Sequence, residues 1–329
     1  MFKNKAVRHT IITLAIGLGI VGLANIFGAY NQSQLAVALV YCVGILSITL
    51  LTGTSGQISL GQSALMAVGG YSTALLMVKM SINVWLAIPL SVVASLIAGW
   101  FLGITAARLA GPYLAGATLV MALAIPTLAI RFESVFAGDV GLQIYWPEPP
   151  RVISALVTRD GSLLIEKWQL YATLPWALLT LFFVMNILNS RTGRAWKAIR
   201  DNEVAASLSG IQVQRVKVFV FVVSSGIAGL AGALYGLRGI VGPSIYPISL
   251  SLALLTGAVI GGIRNIVGAA IGAVVVVFLP DWINWATQSW SLPQKISDYL
   301  PAMVSGVLLI LTVVFTPQGA AGSLHRKHR

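Results

Sequence analysis

The sequence predicts an all-α polytopic integral membrane protein of about ten transmembrane helices with a charged loop on its cytoplasmic side. Three observations carry that prediction. Of 329 residues, 57% are hydrophobic and only 9% charged, and the mean hydropathy is +0.88, which excludes a soluble chain of this size. Apolar runs of roughly 18 to 23 residues, long enough to cross a bilayer, recur from end to end. Lys and Arg collect in the polar links between those runs, as the retention of basic residues on the cytoplasmic side requires.

The chain reads as a single transmembrane domain over residues 1–329. The basic N-terminus, MFKNKAVRH, leads into an apolar run from Thr10 to Ala29 with no convincing cleavage site, so it is read as a retained first span. A second span, Leu35 to Leu51, ends at the Gly/Ser/Thr-rich stretch Thr52–Gly61. The third runs from Gln62 to Met80, the fourth from Val84 to Ala106, and the fifth from Pro112 to Ile130. Residues 131–168 form a proline-rich excursion of mixed charge, placed on the periplasmic side. The sixth span is Gln169 to Leu188, and the seventh, after the polar loop 190–217, is Val218 to Leu237. Leu250–Ile263 and Ile266–Leu279 follow, joined so tightly that they form either a helical hairpin or a broken helix. Ala302–Thr316 is the tenth, followed by a basic tail, 318–329. Eight or nine spans are the alternatives.

Charge orients this arrangement. With the N-terminus inside, fourteen Lys and Arg residues face the cytoplasm and seven face outward, whereas seven of the nine acids lie outside. Both termini are therefore placed in the cytoplasm. The formal net charge of +12 does not indicate nucleic acid, because the basic residues are dispersed between spans without interleaved aromatics. The single cysteine, Cys42, lies in an apolar run and excludes an intramolecular disulfide. The three histidines are too scattered to form a ligand cluster.

Several function classes lack their residues. No ionisable side chain stands in the middle of a predicted span, which disfavours an ion-coupled secondary carrier, although sodium sites built from carbonyls stay open. There is no GxxxxGK[ST] phosphate loop, no His/Glu zinc pattern and no GxSxG elbow. An enzyme is not expected, and no cofactor is expected on this chain.

Two stretches attract functional readings. Residues 190–217, SRTGRAWKAIRDNEVAASLSGIQVQRVK, hold six basic residues and two acids between apolar spans. Within them Trp196, Ile199, Val204 and Leu208 recur at three- to five-residue intervals, matching one stripe of a short amphipathic helix, and Gly210 stands where a left-handed cap would end it. This is either an ordinary basic cytoplasmic loop or a helix on the membrane face offered to a soluble partner. Thr52–Gly61, TGTSGQISLG, is either a surface turn or a break that frees backbone amides towards a substrate carboxylate. The Gly/Ala-rich runs 226–242 and 257–272 read as close helix packing, with a substrate role as the alternative.

Four stretches together resemble the permease subunits of ABC importers for branched-chain amino acids, of the LivM type: GTSGQISLGQSALMAVGGY from Gly53 to Tyr71, AGPYLAGATL from Ala110 to Leu119, the loop 190–217 with the span after it, and VLLILTVVFTPQGAAG at 307–322. The chain departs from the family pattern at Gln62, at Gly70, at Leu109–Gly111 and at Ala137–Ile144. The resemblance implies a bacterial inner-membrane subunit without an ATPase site of its own. It would work with two ABC ATPase subunits that use ATP and Mg, a second homologous permease, and a periplasmic or lipid-anchored substrate-binding protein, all within membrane lipid. It makes 190–217 a coupling loop, with Arg194, Trp196, Ile199, Arg200, Asp201, Glu203 and Ala205 as the ATPase-coupling interface and Trp196 and Ile199 as its apolar anchors. It places Ser55, Gly56, Gln57, Ser59, Gln62 and Tyr71 along a translocation path. Hydrophobic amino acids lead as substrates, with urea, amides and aromatic acids carried by relatives of the same architecture.

Overall fold

In a computed structural model of the chain, residues 2–109, 111–150, 154, 157–159 and 162–289 are described, together with 300, 303, 304, 306–308, 310–312 and 314. The apolar runs become helices α1 (Phe2–Ile26), α2 (Ala29–Ile48), α3 (Gln62–Val78), α4 (Val84–Ala106) and α5 (Pro112–Arg131), then the single turn α6 (Glu133–Phe136). After the excursion come α7 (Ile165–Asn189), α8 (Arg191–Asp201), α9 (Glu203–Leu208), α10 (Val213–Gly236), α11 (Ile248–Gly261) and α12 (Ile266–Ser289). Eight helical stretches among the described residues are long and apolar enough to cross a membrane, and α3 is a shorter apolar helix. Six of the fifteen residues of the expected tenth span, all of the basic tail and Ala110 lie outside the described residues; positions 303, 304, 306–308, 310–312 and 314 are helical.

The purely helical expectation needs one amendment. The excursion contributes β1 (Leu142–Tyr145), β2 (Thr158–Arg159) and β3 (Ser162–Leu163), and β4 (Arg238–Val241) follows α10. β1 pairs antiparallel with β4, Leu142 opposite Val241 and Tyr145 opposite Arg238, while β2 and β3 form a minimal hairpin. The first ribbon stitches the excursion to the C-terminal end of α10.

α10 is the central helix. It packs against α4, α3 and α2, with α7 and α1 beyond α2 and the α11–α12 pair against the same helix. Its small residues permit this. A Cβ added at Gly232 would collide with the Met66 carbonyl of α3, and one at Gly229 with Ser95 of α4. In hydrocarbon, where apolar surface gains nothing by leaving lipid, such backbone approach is what drives association. The run 226–242 is thus packing, and so is 257–272. Gly261 abuts Gly268 and Gly257 abuts Gly272 across α11 and α12, and Asn265 Oδ1 accepts from the Val267 amide to start the second helix. The tight link is a helical hairpin.

Gly232→Leu is expected to force α3 and α10 apart, an overpacking cost of about 1–3 kcal/mol or more. Gly116→Ala, where an added Cβ meets nothing within 4 Å, should be neutral. Thermal unfolding of the detergent-solubilised proteins, followed by size-exclusion chromatography, compares the two.

Candidate functional site: the polar loop and the break before α3

α2 does not stop at Ile48. It runs into a π turn, Thr49–Thr54, after which the chain abandons helical bonding for several residues and re-enters the protein as irregular chain before α3 begins at Gln62. The depth follows from neighbours on α10. The Gln57 side-chain amide donates to the Lys217 carbonyl at 3.2 Å, whereas that of Gln62 reaches Ser224 Oγ at 3.3 Å. Seven residues separate those partners, so residues 57–62 descend by about 10 Å along the helix axis. α3 is short because non-helical chain covers the first part of its crossing.

Such backbone is tolerated at membrane depth only when the protein satisfies it, and several of its groups have named partners here. Thr52 Oγ1 donates to the Gln57 carbonyl at 3.0 Å, and the Leu60 amide donates to Thr118 Oγ1 of α5 at 2.9 Å. The Ser63 amide donates to Ser251 Oγ of α11 at 2.7 Å. Ser224 Oγ in turn donates to the Ser47 carbonyl of α2 at 2.9 Å. Gln62, Ser63, Ser224, Ser251 and Ser47 are all buried and form a polar hub between α2, α3, α10 and α11.

The polar loop is two helices, not one. Ser190 caps α8 by accepting from the Gly193 amide. Trp196 and Ile199 then turn inward, 0% and 1% exposed, with the indole against the Phe219 ring. Asn202 breaks the helix in extended conformation and restarts it, its Oδ1 accepting from the Ala205 amide at 3.0 Å. The restart rotates the apolar stripe, so Val204 (69%) and Leu208 (84%) face outward. Gly210 ends α9 at φ +82°, with the Ile211 amide returning to the Ala206 carbonyl, the left-handed stop expected there. Trp196 and Ile199 are therefore internal packing residues, and the expectation that they serve as anchors offered outward is corrected. Arg194, Asp201, Glu203 and Ala205 are exposed.

Arg200 joins the two stretches. Its Nε and Nη2 donate to Asp201 Oδ1 at 3.0 and 2.8 Å, while Nη1 donates to the Gly53 carbonyl in the π turn at 2.9 Å. Gly56, at φ +76°, brings its backbone against the Arg200 side chain. Beside it, Lys217 Nζ pairs with Glu203 Oε1 at 2.6 Å. On the other flank of the π turn, an added Cβ at Gly53 would strike the Ile263 carbonyl between α11 and α12. The break is thus neither a surface turn nor an open amide cradle. It is wedged between α8 and the α11–α12 turn.

Of the residues expected along a path, Ser55, Gln57, Ser59 and Gln62 are buried within the chain's own packing and Gly56 is exposed beside Arg200. Tyr71 lies further along α3, lining a pocket of about 380 Å³ between α3 and α5 whose walls are almost wholly apolar, Val68, Leu75, Ile125 and Phe136 among them. Gln57 Oε1, Gln62 Oε1 and the Tyr71 hydroxyl are buried without a hydrogen-bond partner. No group of three or more His, Cys, Asp or Glu suited to a metal occurs among the described residues.

Residues 30–313 match the family model described as the permease component of branched-chain amino acid transport systems. The chain belongs to that family. Among relatives of this permease family, the high-affinity branched-chain amino acid transport permease LivM of Salmonella typhimurium is 28% identical over 304 residues, covering 86% of this chain and 68% of that protein. LivH of the same organism is 27% identical over 294 residues, 86% and 91% of the two chains. The ribose import permease RbsC of Haemophilus influenzae is 24% identical over 322 residues, 93% and 91%. No solved structure matches significantly. The chain is thus a multi-pass membrane permease subunit of an ABC transporter family. The exposed pair Val204 and Leu208 were visible in the sequence as members of one stripe; the helix break at Asn202, which separates them from Trp196, was not.

Arg200→Met should release the π turn. Loss of a charge-assisted bond to a backbone carbonyl, about 1.5–3 kcal/mol, predicts roughly ten- to hundred-fold faster hydrogen exchange at the amides of residues 52–57. Exchange unchanged from wild type would show that Arg200 does not hold the turn.

Proposed function

We propose that this chain is a translocation subunit of an ATP-driven importer for branched-chain and other hydrophobic amino acids, working by alternating access. Membership of the permease family carries the machine; the LivM and LivH relatives favour the substrate, and the sugar permease relative is the reason that substrate is put as a proposal. The apolar pocket beside Tyr71 suits an aliphatic side chain. The chain has no phosphate-loop motif, so ATP and Mg are handled by two partner ATPases, with a second permease and a substrate-binding protein completing the assembly. The membrane is the bacterial inner membrane, with both termini and α8–α9 in the cytoplasm, the side that the basic residues favour.

On this reading α8 and α9 are the coupling element. Val204 and Leu208 supply its apolar contact, and Arg194, Asp201, Glu203 and Ala205 frame that contact with charge and small surface. Trp196 and Ile199 act through packing and Arg200 through the π turn, so movement of α8 is passed to the break and onward to the α11–α12 turn. Along the path, Gln57, Gln62 and Tyr71 hold unpartnered polar atoms, which an unsatisfied group at depth makes costly unless some state of the cycle engages them. Ser55, Gly56 and Ser59 shape the backbone that carries them.

Leucine uptake in cells with and without the chain tests the reading, with valine, alanine, urea and benzoate as competitors. Uptake should depend on the chain, fall on ATP depletion and survive an uncoupler. Uptake that collapses with the uncoupler alone would contradict the energy source, and uptake indifferent to the chain would move the substrate elsewhere. Val204→Asp with Leu208→Asp is expected to abolish uptake and ATPase co-purification while membrane insertion is kept. Retained co-purification would remove these two side chains from the interface.

A further inference from the structure

A second groove lies between α4 and α10 on the face that carries α8 and α9, about 440 Å³, lined by Trp100, Ile104, Arg108, Arg215, Phe219 and Val222, with Ala107, Gln214 and Val218 between them. We propose that it binds an anionic glycerophospholipid of the adjacent leaflet, the phosphate between Arg108 and Arg215 and an acyl chain along the apolar wall.

The two ends of the groove differ in chemistry along the membrane normal. Arg108 sits just past the end of α4 and Arg215 in the first turn of α10, so both guanidinium groups stand at the level where the hydrocarbon ends. Trp100 is eight residues back along α4 and Val222 seven residues on along α10, which carries the apolar wall about 10–12 Å into the span. A soluble subunit cannot follow the wall to that depth. A lipid has this polarity from head to tail.

Charge commits the occupant. Among the described residues, neither arginine makes an ion pair or a side-chain hydrogen bond. The acids on this face are already engaged, Asp201 with Arg200 and Glu203 with Lys217. Two unpaired guanidinium groups at one mouth call for an anion, and Arg presents the planar fork that grips phosphate oxygens. Solitary snorkelling arginines are ordinary at a bilayer edge. Here two from different helices share one concavity with an apolar floor, the arrangement in which basic pockets between membrane helices hold anionic headgroups. A transmembrane helix of a neighbouring permease would fill the wall but leave the arginines without a counter-charge.

The intact complex, reconstituted in nanodiscs with equal phosphatidylglycerol and phosphatidylcholine and then released for native mass spectrometry, tests the site. Phosphatidylglycerol should be retained in preference. Each arginine near an anionic headgroup contributes about fivefold, so Arg108→Gln with Arg215→Gln should lower that preference about 25-fold. Arg191→Gln with Arg264→Gln removes two exposed charges from the same face but outside the groove and should leave it. Ile104→Trp, which fills the wall and keeps both charges, should displace the lipid independently. Equal preference in the wild type and the first double variant overturns the proposal. So does an equal loss in the control pair, or cross-linking of this groove to the second permease subunit.

Discussion

Inside hydrocarbon a backbone amide or carbonyl without a partner has no water to fall back on, and this chain leaves its helical ladder at that depth. Everything around residues 51–63 answers to the resulting demand. Backbone groups of the break are met by Thr118 on α5, Ser251 on α11 and Arg200 on α8, and its Gln57 and Gln62 side chains reach Lys217 and Ser224 on α10. Because no two of those elements are the same except for α10, one interruption in one helix fastens together most of the molecule. A continuous third helix would need none of these bonds, and it would also have no reason to respond to its neighbours.

The same demand explains why small and hydroxylated residues dominate the interior. Ser, Thr and Gly either supply a short-range partner or let a carbonyl approach one. Ser63 and Ser251 share a hydrogen bond between hydroxyls at 2.9 Å, and Tyr246 donates to the Gly232 carbonyl at 2.8 Å, closing α10 against the entry to α11. The centre of the protein is therefore apolar by composition yet held in register by directed bonds.

Much of this was legible in the sequence, and the parts that were not share a cause. Val84–Ala106 was read to the residue because hydrocarbon thickness alone sets such a span. Val213–Lys217 was read as loop because of its basic residues, yet it is the first turn of α10, with Lys217 neutralised by Glu203. The β1–β4 ribbon left no trace in a local pattern, since its strands are four residues long and about a hundred residues apart. Trp196 and Val204 looked alike on one stripe, and only the extended Asn202 separates an inward from an outward side chain. The Thr52–Gly61 stretch stood out by composition, but hydroxyl and amide residues signal both a lining and a brace. Which of the two they are depends on the other helices.

α10 touches events at both faces. Its N-terminal end carries Lys217 beneath α9, and its C-terminal end continues into β4 and thence the excursion. Twenty-four residues make a rod of about 36 Å, stiff along its length but seated at mid-height on glycines that offer neighbours no interlocking side chains. In the transport cycle proposed above, such a rod, held at mid-height by the bonds of Ser224 and Tyr246, would act as a lever. A tilt of about 10° moves each end by roughly 3 Å in opposite senses over that length, enough to exchange a hydrogen bond at one face for a gap at the other. Geometry of that kind needs no chain of side-chain rearrangements to make the two sides of a membrane answer each other.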